Sequence, residues 1–439
     1  MGCRGEQSEN PFSFTQSKGL PEALCSDILS AQKSKAREGN KMEQLGHLQT
    51  IRDAVVFSGL REDPVILALT ELLENHEQER SAVHRLCCDL ARALYPFGDN
   101  LTDYILEAAI CDENIYIDRL ARGGTPSQAI EQQAAAELHA LSMLGSLNSD
   151  YFVERFKLEA HCPKWSARRI DLAAEYAVLV KNAPKRGYGI FAKHHVFRVT
   201  EDGSLAPVHN PDPQRLCDFH GYESERGRII ENTLALLQGL PANNVLLYGD
   251  AGTGKSSTVK AIANEYKSEG LRLIQAEKAL LRHIPALLDF LAEKPLRFII
   301  FIDDLSFETS DRDFTALKTV LEGSVAARAQ NTLVYATSNR RHLLRESFAA
   351  RQGDEVHLSD TLEEAASLAA RFGLVVTFTR PDKDDFLELV WHFADNYRLD
   401  IPESELITGA EAYAIRSGGR SPRLAKQYIE LLLSKRGEN

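Results

Sequence analysis

Gly249-Asp250-Ala251-Gly252-Thr253-Gly254-Lys255-Ser256 is a complete G-x-x-x-x-G-K-[ST] loop, and its reading decides the fold. A nucleoside triphosphate is gripped mainly by its phosphates, which need many donors in a small space. Glycines let the backbone curl so that several N–H groups point inward. Lys255 adds a point charge between the β- and γ-phosphates, and the Ser256 hydroxyl is suited to Mg²⁺. An apolar β-type run, Asn244-Val245-Leu246-Leu247-Tyr248, precedes the loop, and a helical run from Ser257 to Tyr266 follows it. That strand–loop–helix setting is the context a phosphate loop requires. Residues 249–257 are therefore the expected phosphate-binding set, Ser257 included.

Outward from the loop, Phe298-Ile299-Ile300-Phe301-Ile302-Asp303-Asp304 reads as a buried strand ending in two carboxylates. In a phosphate-loop enzyme, the acid at such a tip completes the Mg²⁺ shell, and the next acid orients the attacking water. Asp303 is expected in the first role and Asp304 in the second; the plain alternative is an acidic turn after a core strand. Thr332-Leu333-Val334-Tyr335-Ala336-Thr337-Ser338-Asn339 is another buried run, ending in an amide. Asn339 can hydrogen-bond a water or the γ-phosphate without adding charge, or simply cap the following turn.

The rest of the chain frames this centre. At 439 residues, 44% hydrophobic and 26% charged, it has room for two or three domains. It lacks a run of about 18 apolar residues, so no membrane span is expected. Seven cysteines, none at metal-ligand spacing, read as the reduced thiols of a cytoplasmic protein, with Cys87-Cys88 packing in a helix. A formal net charge of −12 argues against gripping nucleic acid and favours protein partners.

Residues 1–41 are polar and read as a disordered tail. Residues 42–187 read as a helical domain. Asp63-Pro64 is a helix start, and Val65, Leu69, Leu72 and Leu73, then Val83, Leu86, Cys87, Leu90 and Leu94, keep helical spacing. Residues 188–214 are expected as a β-hairpin and linker. Tyr188-Gly189-Ile190-Phe191-Ala192 and 195–199 are read as strands, with Asp202-Gly203 as a turn. Over 215–380, strands near 244–248, 271–276, 298–303, 332–338 and 374–378 alternate with helices. The expectation is an α/β core with a five-stranded parallel sheet between helices, then a helical lid over 381–439.

From about 215 to 439 these features resemble the AAA+ ATPases in order and spacing. Walker A falls at 249–256, Walker B at 298–304 and sensor 1 at Asn339, and a lid carries Gly418-Gly419-Arg420-Ser421-Pro422-Arg423. Within that superfamily the chain resembles the DUF815 family of predicted bacterial ATPases, through Gly221-Tyr222-Glu223, 241–249 and 336–343. The resemblance implies ATP with Mg²⁺ and a homo-oligomeric ring. Leu368-Ala369-Ala370-Arg371-Phe372-Gly373 is similar to the S-R-F-G box of AAA+ motors such as the Holliday-junction branch-migration ATPase, with Ala370 in place of serine. It implies that Arg371 reaches a neighbour's γ-phosphate, with Arg340, Arg341 and Arg351 as alternatives. Arg423 takes the place of the lid's sensor-2 arginine, with Arg420 behind it, and Tyr222 falls where the chain passes the adenine.

One departure bears on catalysis. The family's usual Asp-Glu pair is Asp303-Asp304 here, one methylene short, and a misplacement near 1 Å can cost about 10²-fold in rate. Glu308 could assist from the next turn. The expected function is ATP hydrolysis coupled to remodelling of a partner. The alternative is a nucleotide-gated binding module or scaffold with little turnover. A DNA motor is disfavoured by the acidic balance, and an unfoldase by the absence of an aromatic pore loop after strand 271–276.

Overall fold

The computed structural model describes residues 45–74, 79–158, 161–305, 317, 321, 330–339 and 370–436. The expected tail at 1–41, and with it Glu308, Arg340, Arg341 and Arg351, lies outside the described residues.

Apolar runs too long for one-sided burial make the central sheet. Strands β1 (Val196–Val199), β2 (Leu205–Pro207), β3 (Val245–Gly249), β4 (Leu271–Gln275), β5 (Arg297–Ile302), β6 (Thr332–Asn339) and β7 (Leu374–Phe378) lie in the order β2-β1-β4-β5-β6-β3-β7. All neighbours run parallel except the β1–β2 hairpin. Alternate residues feed opposite faces, as strand geometry dictates. Phe298, Ile300 and Val334 pack with Phe191, Ile284 and Leu287 on one side. Ile299, Phe301 and Tyr335 pack with Ile229, Val259 and Ile262 on the other.

The strands at 244–248, 271–276, 298–303, 332–338 and 374–378 are thus where the sequence places them, but the sheet is larger than five. The 195–207 hairpin does not stand apart: β1 pairs in parallel with β4, Phe197 against Ile274. The stretch 188–192 is not a strand. Gly187 and Gly189 turn the chain at φ 81° and 61°, and Ile190–Lys193 then forms a single helical turn that buries Phe191.

Ahead of the sheet come α1 (Pro64–Glu74), α2 (Arg80–Leu94), α3 (Leu101–Cys111), α4 (Ile115–Ala121), α5 (Gln128–Gly145), α6 (Ser149–Phe156) and α7 (Leu172–Lys181). They share one core, and Asp63 starts α1 as expected, accepting from the N–H groups of Val65 and Ile66 at 3.0 Å. Helices α8 (Glu223–Leu237) and α9 (Lys255–Glu265) cover one face of the sheet and α10 (Ile284–Ala292) the other. The lid, α11 (Lys383–Asn396), α12 (Glu403–Arg416) and α13 (Pro422–Arg436), has a small core of its own around Phe386, Leu389, Leu406 and Ile429. Among the described residues no helix is long and apolar enough to cross a membrane.

Candidate nucleotide site

The site forms at the C-terminal ends of β3, β5 and β6, where a parallel sheet opens toward ligand. Gly249 ends β3 at φ 138°, and a Cβ there would lie 2.0 Å from the Phe378 carbonyl oxygen, so no side chain fits. Gly252 and Gly254 also hold positive φ, 80° and 91°, conformations that glycine alone adopts freely. The curl they permit delivers the chain into α9 at Lys255, and the free N–H groups of that helix start face the loop.

Lys255 is largely buried, and its Nζ donates to the carbonyls of Gly249 at 2.9 Å and Asp250 at 2.7 Å, and to Asn339 Oδ1 at 3.3 Å. Burial draws its pKa down, while Asp250, Asp304 and Asp303 pull the other way. Register explains the third contact: Gly249 stands opposite Asn339 in the β3–β6 pairing.

The two carboxylates occupy different environments. Asp303 Oδ1 accepts from Ser256 Oγ at 2.5 Å and from Thr337 Oγ1 at 2.6 Å. Asp304 lies at φ 53°, unusual for a residue with a side chain, and this swings it beside Asn339. Its carboxylate accepts from Asn339 Nδ2 at 2.8 Å, and its own N–H donates to Thr337 Oγ1 at 2.9 Å. Ser256, Asp303, Asp304, Asn339 and Lys255 therefore form one connected polar network. Its Ser256 hydroxyl and Asp303 carboxylate are two adjacent hard oxygens. They suit Mg²⁺, which takes few protein ligands and fills its shell with water and phosphate oxygens. Among the described residues no group of three His, Cys, Asp or Glu could hold a metal by itself.

Two residues here escaped the sequence reading. Thr337 clamps both aspartates; its position two before Asn339, on the same side of β6, is the pattern that could have flagged it. Arg380, just past β7, donates its N–H to Asp250 Oδ2 at 3.2 Å and sets its guanidinium 3.6 Å from that carboxylate.

Beside the loop a cleft of about 970 Å³ runs between the core and the lid. Tyr222 lines it in a left-handed turn at φ 59°, its ring 5.4 Å from Phe378 and its hydroxyl donating to Thr379 O at 2.6 Å. Burial pushes that hydroxyl up to about 12. Phe219 and Arg226 flank it, with the guanidinium 5.4 Å from the ring centre.

On the lid side, Ser421 caps α13 through Leu424 N–H at 3.3 Å, and Pro422 opens the helix. The Arg423 N–H then donates to Gly252 O at 3.3 Å, and its side chain lines the cleft. Arg420 points elsewhere, paired with Glu411 at 3.1 Å, and holds that carboxyl below the usual range. Arg371 is not brought into this cleft. It precedes β7 at the Val245–Leu374 end of the β3 pairing, whereas the loop lies at the Gly249–Phe378 end, roughly 13 Å of strand away.

A family model described as "Protein of unknown function (DUF815)" matches residues 192–436. Among solved structures, two variants of RuvB from Thermotoga maritima align at 17% and 16% identity, with TM-scores of 0.35 and 0.34. The alignments cover 50% of this chain and 63% and 64% of those chains, less than two thirds of the RuvB length. No curated protein matches the chain.

Proposed function

The chain belongs to the DUF815 family, whose function is unknown, and from that premise we propose that it is an AAA+ ATPase. In this reading it binds Mg-ATP, hydrolyses it as a homo-oligomeric ring, and uses the cycle to remodel a protein partner in the cytoplasm. The observation that carries the reading is the continuous network Ser256–Asp303–Thr337–Asp304–Asn339–Lys255 at the mouth of β3, β5 and β6.

The roles follow from the chemistry. The N–H groups of residues 250–257 cradle the phosphates, and the Lys255 ammonium turns from the loop carbonyls to the β- and γ-phosphate oxygens. Ser256 and Asp303 hold Mg²⁺, which neutralises phosphate charge when bound. Asp304 and Asn339 orient the attacking water, Asp304 accepting its hydrogen bond while Asn339 keeps the carboxylate in place. Tyr222 and Phe219 offer apolar surface to the base. Arg423 reaches the phosphates from the lid, and Arg371 supplies positive charge to a neighbour's site. Its distance from its own cleft favours that assignment.

Three measurements on the purified chain test this. ATPase activity per subunit is expected to rise with protein concentration, to vanish in Lys255→Ala, and to stop when EDTA removes Mg²⁺. A rate per subunit that stays flat on dilution and survives Arg371→Ala would overturn the ring.

The second reading, a nucleotide-gated binding module, is favoured by Asp304, whose shorter arm is already tied to Asn339. Tight ATP binding without turnover, with partner capture still following nucleotide state, would select it.

A further inference from the structure

Between the turns at 182–195 and the end of α9 lies a second pocket, of about 560 Å³, sharing no lining residue with the nucleotide cleft. Its wall carries Lys185, Arg186, Lys193, Lys267 and Arg272, and no carboxylate. In a chain with 63 acidic against 51 basic residues, such a one-signed lining is unexpected.

The charges are poorly cancelled. Arg186 has a carboxylate partner, Glu107, at 2.5 Å outside the lining. Lys193 stands over the Phe97 ring at 6.0 Å, and among the described residues neither Lys185 nor Lys267 has a carboxylate within 4.0 Å. Arg272 is only 4% exposed, yet all its hydrogen bonds go to main-chain carbonyls, those of Phe191, Lys267, Leu271 and Arg186. A buried charge normally has an anionic partner. The nearby C-terminal end of α9 offers only about half a negative charge. His195, also in the lining, has its pKa pulled down by burial, against a hydrogen bond to Asn264 that raises it, with Lys267 and Arg272 lowering it further. Ser268 and Asn182 add neutral donors.

We propose that this pocket is a second anion site, built for a compact ligand carrying two or more phosphoryl groups. Its volume falls in the range of small-molecule sites, roughly 300–1,000 Å³. The lining holds no Phe, Tyr or Trp. Its aromatic rings are only the small imidazoles of His194, already against Phe197 and His209, and His195, held by Asn264. This sets it apart from a single-strand groove lined by large stacking rings. The assignment does not depend on ATP hydrolysis at the phosphate loop.

Full-length Lys255→Ala protein, in which the phosphate loop is crippled, is titrated with inorganic tripolyphosphate by calorimetry without Mg²⁺, at low and high salt. One equivalent is expected to bind, more weakly as salt rises. The triple variant Lys185→Gln/Lys193→Gln/Lys267→Gln is expected to weaken it at least tenfold. All three lysines are exposed, so an unchanged melting temperature is expected. If the triple variant unfolds, Lys193→Gln and Lys267→Gln separately must each reduce affinity. Absence of binding in Lys255→Ala, or affinity untouched by the lysine changes, overturns the proposal and leaves the ATPase reading standing. A single-stranded oligonucleotide that displaces tripolyphosphate and binds tighter in a lysine-dependent way also overturns it, in favour of nucleic acid.

Discussion

Gly249 shows how one residue couples the loop to the sheet. Its missing side chain lets β7 pass so close that Phe378 O would touch a Cβ. Gly249→Ala is therefore expected to destabilise the fold by about 3 kcal/mol through steric overlap and a disfavoured φ, read as a lowered denaturation midpoint. Thr337→Val tests the clamp on the aspartates. Removing the hydroxyl leaves Asp303 and Asp304 without a shared partner, so turnover is expected to fall about 10- to 100-fold while ATP affinity changes little. A parallel loss of affinity, measured with a fluorescent nucleotide, would contradict that role. At this scale the phosphate loop was legible because its chemistry is local: glycines, a lysine and a hydroxyl within eight residues. Thr337 and Arg380 were not read, because their partners are set by pairing between strands far apart in sequence: β5 with β6 brings Thr337 to the aspartates, and β3 with β7 brings Arg380 to Asp250.

Elements carry their own tests. The lid meets the loop through a main-chain bond, Arg423 N–H to Gly252 O, as well as through the Arg423 side chain. Arg423→Ala removes only the side chain, whereas Arg423→Pro also removes the donor at a helical position where proline is tolerated. Turnover is expected to fall in both, and limited proteolysis between core and lid to speed up only in Arg423→Pro. Equal protection in the two variants would show that the main-chain bond is idle. Asn244 is a second joint: buried, it accepts from Val334 N–H at 2.9 Å and thereby ties β3 to β6. Asn244→Ala leaves that N–H unpaired, at an expected cost of about 1–3 kcal/mol in denaturant unfolding. The long apolar strands were readable from sequence, but Tyr188-Gly189-Ile190-Phe191-Ala192 was not. A short apolar run fits a buried helical turn as well as a strand, and two glycines with positive φ decide for the turn.

Across the whole molecule, the clearest prediction concerns complementation between copies. Lys255→Ala protein lacks a working phosphate loop but retains Arg371, and Arg371→Ala protein has the converse defect. Mixed together, they are expected to regain ATPase activity that neither shows alone; no recovery at any ratio would place Arg371 outside the neighbour's site. The succession of helices, then strands alternating with helices, then helices again was visible in the changing periodicity of the chain. The joining of the hairpin to β4 was not, since it depends on residues far apart in sequence. That hairpin also finishes one side of the sheet with three residues, Leu205–Pro207, the last of which has no N–H to offer. On the opposite side the Arg228 guanidinium reaches the Val375 carbonyl of β7 at 3.4 Å. Among the described residues both margins are short strands, which disfavours copies zipping strand to strand into open-ended fibres. With the described edges so short and covered, side chains on helices and loops are the surfaces left for contact between copies, and such contacts are more easily made and released than a shared ladder.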